Sequence, residues 1–539
     1  MSGGRVVDSA AAEGWFLSPS ERGNPDSRID SIASSGRAWT DGNSVLPLID
    51  GVAYFERLAQ ELGALASGDC VWFTEWRGDR DELLGPDGPT VGALLAALAG
   101  RGIDVRGLVW RSHPLGEVAN RRLEAEINHN GGQVLLDQRV LPFGSHHQKL
   151  VLIRHRESAG SSLAFVGGID LCHGRRDDPG HAGDPQPMDR RGRYGPRAPW
   201  HDIQLEVRGP AVAQMEWSFR ERWEDPTRLD GATPLHSLLS RLSAEPRFPS
   251  AIPVETAPQG EAGSQAVQLL RTYPARPTPF PFARQGEFSV ARAMIKGIGR
   301  AERLIYVEDQ YLWSKDAVEA LALRLVARPN LQLILVLPRW PHSQGVLTGP
   351  PNRIGQLEAL DRLRQAGGER VGVYDIENQE GRAIYVHAKV CIVDDIWAMV
   401  GSANFNLRSW THDSELSCAV LDSRLDQRPP QDPAGGGEGA RVFARSLRLQ
   451  LWAEHLGRSE SDPALLELTA APELWRQAAQ EVELWHHNNG SGQPHPLARV
   501  MQHRPQPLAP WSRWWAGKLY RTLYDPDGRG RSRSRRPGF

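Results

Sequence analysis

The sequence predicts an α/β protein whose two halves repeat the same order of elements. In the first half, a helical pattern at 91–99 separates strand-like apolar runs at 71–74 and 103–110. In the second half, a helical pattern at 288–299 leads into a strand-like run at 304–307. Such alternation favours helices packed on a largely parallel sheet, and its recurrence indicates an internal duplication.

The length of the chain supports this division. At 539 residues it is too long for one compact core, and a Pro-rich stretch interrupts the alternation between the halves. The predicted units are a flexible amino-terminal segment at 1–40, a first lobe at 41–245, a Pro-rich linker at 246–285, a second lobe at 286–456, and a helical segment with a basic, disordered tail at 457–539.

Composition argues against several classes of protein. With 63 Lys and Arg against 65 Asp and Glu, the net charge of −2 lacks the basic surplus of a nucleic-acid-binding protein. The four cysteines stand singly, which argues against structural zinc and a disulfide framework. The amino terminus has no secretory apolar run, and no stretch of 18 apolar residues occurs. The sequence therefore predicts a cytoplasmic monomer without a membrane span.

Two His-x-Lys motifs are the strongest functional signal. His147 and Lys149 precede the apolar run LVLI, and His387 and Lys389 precede the run VCIV. Strand geometry places the His and Lys of each motif on one face. Because the chain has five lysines and 17 histidines, chance predicts only roughly 0.2 such pairs. Two pairs in matching contexts indicate a catalytic site rather than two surface strands.

A glycine turn follows each motif, as Val-Gly-Gly in the first half and Val-Gly-Ser in the second. Glycine allows the main chain to approach a phosphate group closely. The substrate contacts predicted from these turns are Gly167, Gly168, Asp170, Gly401 and Ser402. The Gly167–Gly168 backbone is expected to donate to the substrate, because an ionised Asp170 cannot.

The motifs resemble those of a known family. The segment HAKVCIVDDIWAMVGSANFNLRSW resembles the HxKxxxxD and GSxN signature of the phospholipase D superfamily. The segments HHQKLVLIR, FVGGIDLCHGRRDD and PWHDI resemble the amino-terminal motif of phospholipase D enzymes themselves. The resemblance covers about residues 45–456. It implies two fused lobes related by pseudo-twofold symmetry, with both motifs at one shared site.

One position departs from the family pattern. Arg154 stands where the family has an aspartate, whereas Asp394 fits the pattern in the second half. In the family this aspartate supports the motif and is not the nucleophile. We therefore expect another group to support the first motif, activity to survive, and the substitution Arg154→Asp to be tolerated.

The resemblance implies cleavage through a phosphohistidine intermediate. It assigns His147 as the nucleophile and His387 as the acid, although the near-symmetry of the motifs also allows the reverse. Lys149 and Lys389 would neutralise the nonbridging phosphate oxygens, so no metal or cofactor is expected. Asn404 would donate a hydrogen bond to the same oxygens.

Two acids are expected to orient the imidazoles, as in a catalytic triad. Asp202 in PWHDI and Glu415 in HDSEL each open a strand-like run, and a strand-end surface charge is the alternative for both. The short segment between the Gly-Ser turn and Glu415 favours Glu415 beside His387, where a carboxylate would raise the pKa of the imidazole. Gln310, in the loop EDQY, is an expected pocket residue or else part of a plain loop.

The leading interpretation is a phospholipase D that hydrolyses phospholipids, for example phosphatidylcholine, to phosphatidic acid and a free head group. An alcohol in place of water would give transphosphatidylation. A cardiolipin-synthase-type transferase is the first alternative, disfavoured because such enzymes usually begin with membrane-spanning helices. A nuclease is disfavoured by the neutral charge, and an inactive lipid-binding homologue is suggested only by Arg154.

The carboxy-terminal segment 511–524 is aromatic and basic. This composition suits peripheral contact with a membrane surface. The alternative is a helix packed on the second lobe. The expected partner is therefore a phospholipid, with no nucleic acid.

Overall fold

The computed structural model describes residues 8–32, 36–111, 118–156, 159–186, 193–229, 249–252, 259–341, 348–488, 494–530 and 539. The strands of the first half are β1 (Thr40–Ile49), β2 (Cys70–Glu75), β3 (Asp104–Trp110), β4 (Gln133–Asp137), β5 (Leu150–Arg154), β6 (Leu163–Gly167), β7 (Trp200–His201) and β8 (Ile203–Arg208). Those of the second half are β9 (Gln265–Tyr273), β10 (Glu287–Phe288), β11 (Leu304–Glu308), β12 (Gln332–Val336), β13 (Val371–Ile376), β14 (Tyr385–Val386), β15 (Val390–Val393), β16 (Trp397–Gly401), β17 (Glu415–Asp422) and β18 (Val500–Gln502).

Strands β7 and β14 pair with each other in a small parallel sheet, and the other strands form one large sheet with helices on both faces. The helices are α1 (Ser9–Trp15), α2 (Pro19–Arg22), α3 (Gly51–Gly63), α4 (Val91–Gly100), α5 (Val118–His129), α6 (Ala211–Trp223), α7 (Ser289–Arg300), α8 (Lys315–Ala327), α9 (Gly349–Gly367), α10 (Leu407–Thr411), α11 (Val442–Leu456), α12 (Ala471–His487) and α13 (Pro510–Leu519). In the described part of the chain, none has both the length and the apolar character needed to cross a bilayer.

One 16-stranded sheet runs through both halves. Its order is β18-β13-β12-β11-β15-β16-β17-β9-β1-β8-β6-β5-β2-β3-β4, and β10 pairs with β9 off this path. From the centre outward, β9-β17-β16-β15-β11-β12-β13 repeats the order β1-β8-β6-β5-β2-β3-β4. The central pair β1 and β9 is antiparallel, as a twofold relation between the lobes requires. The prediction of two α/β lobes with pseudo-twofold symmetry is confirmed.

The sheet is mixed, and the expectation of largely parallel strands is wrong. Among the described strands of this sheet, only β2-β3-β4 and β11-β12-β13 are parallel. The strand after each His-x-Lys motif instead forms an antiparallel pair with the next, β5 with β6 and β15 with β16. The connections between these strands are too short for a parallel crossover, which needs a dozen residues or more.

The amino-terminal segment packs onto the second lobe, which corrects the expected flexible lead-in. The indole ring of Trp15, at the end of α1, is buried and stacks on Trp397 with 6.4 Å between ring centroids. Phe16 lies 5.7 Å from Trp39 by the same measure. The apolar residues that anchor the segment, 15–17, stand in a sequence that is otherwise mostly polar or small. Composition alone therefore indicated disorder. Residues 1–7 lie outside the described chain.

Part of the predicted linker is β9, the innermost strand of the second lobe, which pairs with β1 of the first lobe. Every residue of β9 is buried, and the strand pairs with β17 over its whole length. Arg271 within it forms buried ion pairs of 2.7 Å with Glu221 and Glu287. The prolines that suggested a linker flank this strand rather than interrupt it.

The carboxy-terminal segment extends and closes the second lobe. Strand β18 pairs antiparallel with β13 at the outer edge of the sheet. Asp525 accepts a hydrogen bond from the Arg408 backbone N–H at 2.8 Å, and Phe539 lies 5.6 Å from Trp410 between ring centroids. The predicted disordered tail falls largely on 531–538, outside the described residues.

Candidate active site

The two catalytic histidines predicted from the motifs meet where the lobes join. His147 and His387 stand shortly before β5 and β15, which occupy matching places in the two lobes. A backbone hydrogen bond ties each histidine to the opposite lobe. His147 N–H donates to the Ser414 carbonyl at 2.9 Å, and His387 N–H donates to the His201 carbonyl at 2.8 Å. The fold therefore builds one composite site from both motifs.

Each imidazole is hydrogen-bonded to a buried carboxylate from the opposite lobe. Nδ1 of His147 lies 2.8 Å from Oε2 of Glu415, and Nδ1 of His387 lies 2.6 Å from Oδ2 of Asp202. The expected pairing of Glu415 with His387 is wrong. Chain proximity suggested it, but the backbone bridges beside His147 and His387 carry each carboxylate across the lobe boundary.

These hydrogen bonds leave Nε2 of each imidazole facing the site. An Nδ1–H that donates to a carboxylate leaves a lone pair on the other ring nitrogen. Burial, reinforced by Lys149 and Lys389 respectively, holds the pKa of His147 and of His387 well below the usual range. The expected raised pKa of His387 is therefore wrong for the substrate-free site. Neutral imidazoles are the form that a nucleophile requires.

The two motif lysines are buried beside the histidines and are held by main-chain oxygens. Lys149 Nζ donates to the His147 carbonyl at 3.0 Å and lies 3.4 Å from Oδ1 of Asp170. Lys389 Nζ donates to the His387 carbonyl. Burial, partly offset by nearby carboxylates, lowers the pKa of Lys389 to about 8. Each imidazole thus has a lysine ammonium group beside it, and an anionic group would be attracted to the pair of cations.

The first glycine turn supports the site rather than the substrate, which corrects two predicted contacts. Gly168 N–H already donates to the Ile203 carbonyl at 3.0 Å, so it is not free to bind phosphate. A Cβ at Gly168 would lie 2.1 Å from Oδ1 of Asp202, and one at Gly167 would lie 2.3 Å from Oε1 of Gln204. Gly168 thus makes room for the carboxylate that orients His387, and Gly167 makes room for Gln204.

Asp170, predicted as a substrate contact, positions Lys149 instead. Its Oδ1 accepts the backbone N–H groups of Trp76 and Arg77 at 3.2 and 3.3 Å, in addition to the contact with the lysine. The carboxylate is buried and directed at protein groups. The Asp170 carboxylate therefore holds the Lys149 ammonium group in place, rather than contacting a substrate itself.

The second turn corrects the predicted substrate contacts in the same way. Ser402 Oγ donates to Oε2 of Glu415 at 2.5 Å, and Gly401 N–H donates to the Lys389 carbonyl at 3.3 Å. A Cβ at Gly401 would lie 2.2 Å from Oγ of Ser417. The serine hydroxyl thus fixes the carboxylate that orients His147.

Asn404 and Gln310 differ in the hydrogen bonds that their side chains make within the protein. Asn404 is buried, and its Oδ1 has no hydrogen-bond partner among the described residues. Asp309 fixes the turn by accepting the Phe405 N–H at 2.8 Å. Gln310 Nε2 donates to the hydroxyl of Tyr385 at 2.7 Å, one layer behind His387. Gln310 is thus committed to a protein partner, whereas the donation from Asn404 to phosphate, which only its Nδ2 group can make, stays a prediction.

Arg175 is a third cation at the site that the motifs did not predict. Its guanidinium carbon lies 4.0 Å from the ring centroid of Trp200, and its Nε has no hydrogen-bond partner among the described residues. Its charge acts on both His387 and Asp202. The arginine-rich run after the first glycine turn was the available signal.

A buried network of histidines and acids lies behind Asp202 and was also missed. Nδ1 of His201 lies 3.0 Å from Oδ1 of Asp50, and its Nε2 lies 2.9 Å from Oε2 of Glu308. Burial opposes the charge, but Glu308 and Asp50 raise the pKa of His201 well above its usual value. Glu308 also accepts a hydrogen bond from Nε2 of His455 at 2.9 Å. The network joins the two lobes beneath the site.

Within the described part of the chain, three groups of histidines and acids lie close enough together to hold a metal ion. They are Asp50, His181, His201 and Glu454; His201, Glu308 and His455; and Glu377, His486 and His495. Sequence spacing predicted no metal-ligand cluster, because each group combines residues from distant parts of the chain. None of the motif histidines or lysines belongs to these groups.

Different aspartates support the two motifs. In the second lobe, Asp394 accepts the backbone N–H groups of 302–304 at 2.6 to 2.9 Å, which ties the end of β15 to the start of β11. In the first lobe Asp69, directly before β2, accepts the Arg156 N–H at 2.8 Å. In the first lobe the end of β5 is thus tied to the start of β2 by an aspartate of the β2 side, whereas in the second lobe the aspartate follows β15. This arrangement explains how the first motif manages with Arg154 in the aspartate position.

Arg154→Asp is expected to destabilise the first lobe, which reverses the expectation from sequence. Arg154 Nε lies 3.2 Å from Oε2 of Glu216, and the two side chains are 4% and 5% exposed. An aspartate would face Glu216 with like charge in a buried place. We expect the free energy of unfolding to fall by about 3 kcal/mol, measured by urea denaturation.

Arg154→Met is the matched control. It removes the cation without adding a like charge, and Glu216 keeps its 2.7 Å ion pair with Arg220. The expected loss is therefore smaller. An unchanged unfolding midpoint for Arg154→Asp would show that the ion pair contributes nothing.

Family models match most of the region that builds this site. A phospholipase D model matches residues 80–317, and a model described as cardiolipin synthase, PLD-like domain, matches residues 294–428. A solved phosphatidylserine synthase from Haemophilus influenzae Rd KW20 is 11% identical, with a TM-score of 0.45 over 71% of this chain and 83% of its own.

Plant sequences are among the relatives. Phospholipase D alpha 1 of Cynara cardunculus is 28% identical over 427 residues, covering 61% of this chain and 51% of the relative. Phospholipase D gamma 2 of Arabidopsis thaliana is 26% identical over 505 residues, covering 70% and 58%. The chain thus spans little more than half the length of these curated relatives. The family models and relatives together show that the chain belongs to the phospholipase D superfamily.

Proposed function

We propose that this protein is a phosphodiesterase of the phospholipase D type, which hydrolyses phospholipids to phosphatidic acid and a free head group. The observation that carries the proposal is a pair of imidazoles, each oriented by a carboxylate of the opposite lobe, with two buried lysines beside them. The names of the plant relatives support a phospholipid as the substrate.

In the first step, Nε2 of His147 attacks phosphorus and the bond from phosphorus to the head-group oxygen breaks. His387 donates its Nε2 proton to that oxygen. An anionic phosphate beside His387 raises the pKa of this imidazole on binding, which supplies the protonated form. Lys149, Lys389 and Arg175 neutralise the nonbridging oxygens as charge builds on them.

In the second step, the now neutral His387 takes a proton from water. The resulting nucleophile attacks phosphorus, the bond from phosphorus to Nε2 of His147 breaks, and phosphatidic acid leaves. Two moderate barriers replace one high barrier, which is the benefit of covalent catalysis. Glu415 and Asp202 keep both imidazoles in the required tautomer throughout.

The covalent intermediate is expected on His147. Its side chain is 16% exposed, against 7% for that of His387, so Nε2 of His147 is the more open to an incoming phosphate. Rapid quench with phospholipid labelled in the phosphate, followed by peptide mapping, should place the label on the peptide containing His147. Label confined to the peptide containing His387 would reverse the two roles.

A phosphatidyltransferase is the second candidate, because the second lobe matches the cardiolipin-synthase-type model. Purified protein incubated with mixed phospholipids, with and without ethanol, distinguishes the candidates. Hydrolysis yields phosphatidic acid in both cases, whereas efficient transfer yields phosphatidylethanol when ethanol is present. If neither phosphatidic acid nor phosphatidylethanol forms, the proposal is contradicted.

Contact with a membrane surface is proposed through α13. Trp511 and Trp514 are 68% and 71% exposed, while Ala516 and Tyr520 pack against the second lobe. Exposed Trp residues suit the boundary between lipid and water. The double substitution of Trp511 and Trp514 by Ser is expected to lower turnover on phospholipid vesicles by about tenfold, with turnover of a short-chain soluble substrate unchanged.

Leu323→Ser is the control, because Leu323 is an exposed apolar side chain of α8, outside the aromatic segment. It should leave turnover on vesicles unchanged. Equal losses on vesicles and on the soluble substrate would assign the tryptophans a structural role instead.

A further inference from the structure

A second group of ligand-type side chains lies in the second lobe, outside the proposed catalytic machinery. Glu377 directly follows β13 and is completely buried. Its Oε1 lies 2.6 Å from Nε2 of His486, in the last turn of α12, and 2.9 Å from Nε2 of His495, on the segment that leads to β18. Three ligand atoms from three chain segments thus converge on one point.

The hydrogen bond on the far side of His495 restricts its tautomer. Nδ1 of His495 lies 2.7 Å from the Pro496 carbonyl oxygen, which can only accept. Nδ1 therefore carries a proton, and Nε2 of the neutral ring presents a lone pair to a carboxylate oxygen. Two lone pairs facing each other need a cation between them, and either a proton or a metal ion can take that place. A carbonyl that fixes the outer nitrogen of an imidazole is also the usual support of a metal-binding histidine.

The other contacts leave this point available. Arg339 donates to the second oxygen of Glu377 at 2.8 Å, which fixes the carboxylate and keeps Oε1 directed at the histidines. His486 has 38% of its side chain exposed, so an ion can enter from solvent and keep a water ligand. Ligand atoms around Zn²⁺ lie about 3.3 Å apart, which requires a small outward shift of both imidazoles, larger for His486 than for His495.

We propose that Glu377, His486 and His495 bind a divalent transition-metal ion, Zn²⁺ in particular. Two imidazoles, a carboxylate and an open position suit Zn²⁺ and do not suit Ca²⁺ or Mg²⁺, which prefer oxygen ligands. The ion fastens the end of α12 and the segment leading to β18 onto the end of β13. The site lies apart from the reacting histidines, none of which belongs to it.

Metal titration of the tag-free full-length protein, first stripped with EDTA, tests the proposal. Co²⁺ should bind at one ion per chain and give the visible absorption bands of a low-coordinate site, and Zn²⁺ should displace it. Zn²⁺ should also raise the Tm. None of these readouts depends on turnover, so failure of the metal site and failure of the proposed phosphodiesterase activity are separable.

Variants assign the ligands. His486→Ala and His495→Ala should each weaken Co²⁺ binding at least tenfold, and Glu377→Gln should weaken it by removing the charge. The control is His487→Ala, since His487 is the exposed neighbour of His486 and belongs to none of the three groups. No stoichiometric Co²⁺ binding by the unmodified protein would overturn the proposal. Binding that persists in His486→Ala and His495→Ala would also overturn it, by placing the ion in one of the buried groups.

Discussion

Replacement of either His147 or His387 by alanine is expected to lower turnover by at least about 10⁴-fold, and the double variant should be no worse. Each imidazole performs a step that the other cannot perform at the same time, and each is oriented by the opposite lobe. Residues that act as one unit are not additive when they are removed. Steady-state turnover of a soluble phosphodiester by the three variants provides the measurement.

His129→Ala is the control, because His129 is exposed at the end of α5. Thermal melts should show that all four variants remain folded. If each single variant kept about half of the activity, the two motifs would have to form independent sites. That result would contradict the composite site.

Asp202→Asn and Glu415→Gln are expected to lower turnover by about 10² to 10⁴-fold while leaving the fold intact. An amide can donate to Nδ1, which stabilises the tautomer whose Nε2 carries the proton. In Glu415→Gln, His147 then loses its nucleophilic lone pair. In Asp202→Asn, His387 loses the carboxylate that stabilises its protonated form.

The nature of the leaving group separates these two defects. A nitrophenolate leaves without protonation, so Asp202→Asn should recover much of its activity on a nitrophenyl phosphodiester. Glu415→Gln should not recover, because nucleophilic attack remains impaired. The opposite pattern would make His387 the nucleophile. Full activity of both variants on both substrates would show that neither carboxylate orients an imidazole.

The repeated elements were predictable from sequence because their signals are local. The apolar runs after each His-x-Lys motif form β5 and β15, and the helical pattern at 91–99 forms α4. Strand β9 was hidden because the prolines around it suggested an irregular linker. The mixed sheet was missed because strand direction depends on the length of each connection, which apolar patterns do not report.

The partners within the site were less predictable than its members. The structure pairs His147, His387, Asp202 and Glu415 as two imidazoles and two acids, but which acid meets which imidazole depends on contacts between the lobes. Such contacts join positions more than 180 residues apart in the chain. Arg175 depends likewise on how an irregular segment folds back over Trp200.

The antiparallel pairing of β1 with β9 has a consequence for the independence of the two lobes. If the lobes were separated, each would expose an unpaired strand edge, which invites self-association. Each would also keep an imidazole and lose the carboxylate that serves it. Each lobe produced as a separate fragment should therefore have no catalytic activity, and turnover should return only when the two fragments reassemble. A substitution at Asp202 in the first lobe also removes the hydrogen-bond partner of His387 in the second lobe, so the two lobes cannot change independently.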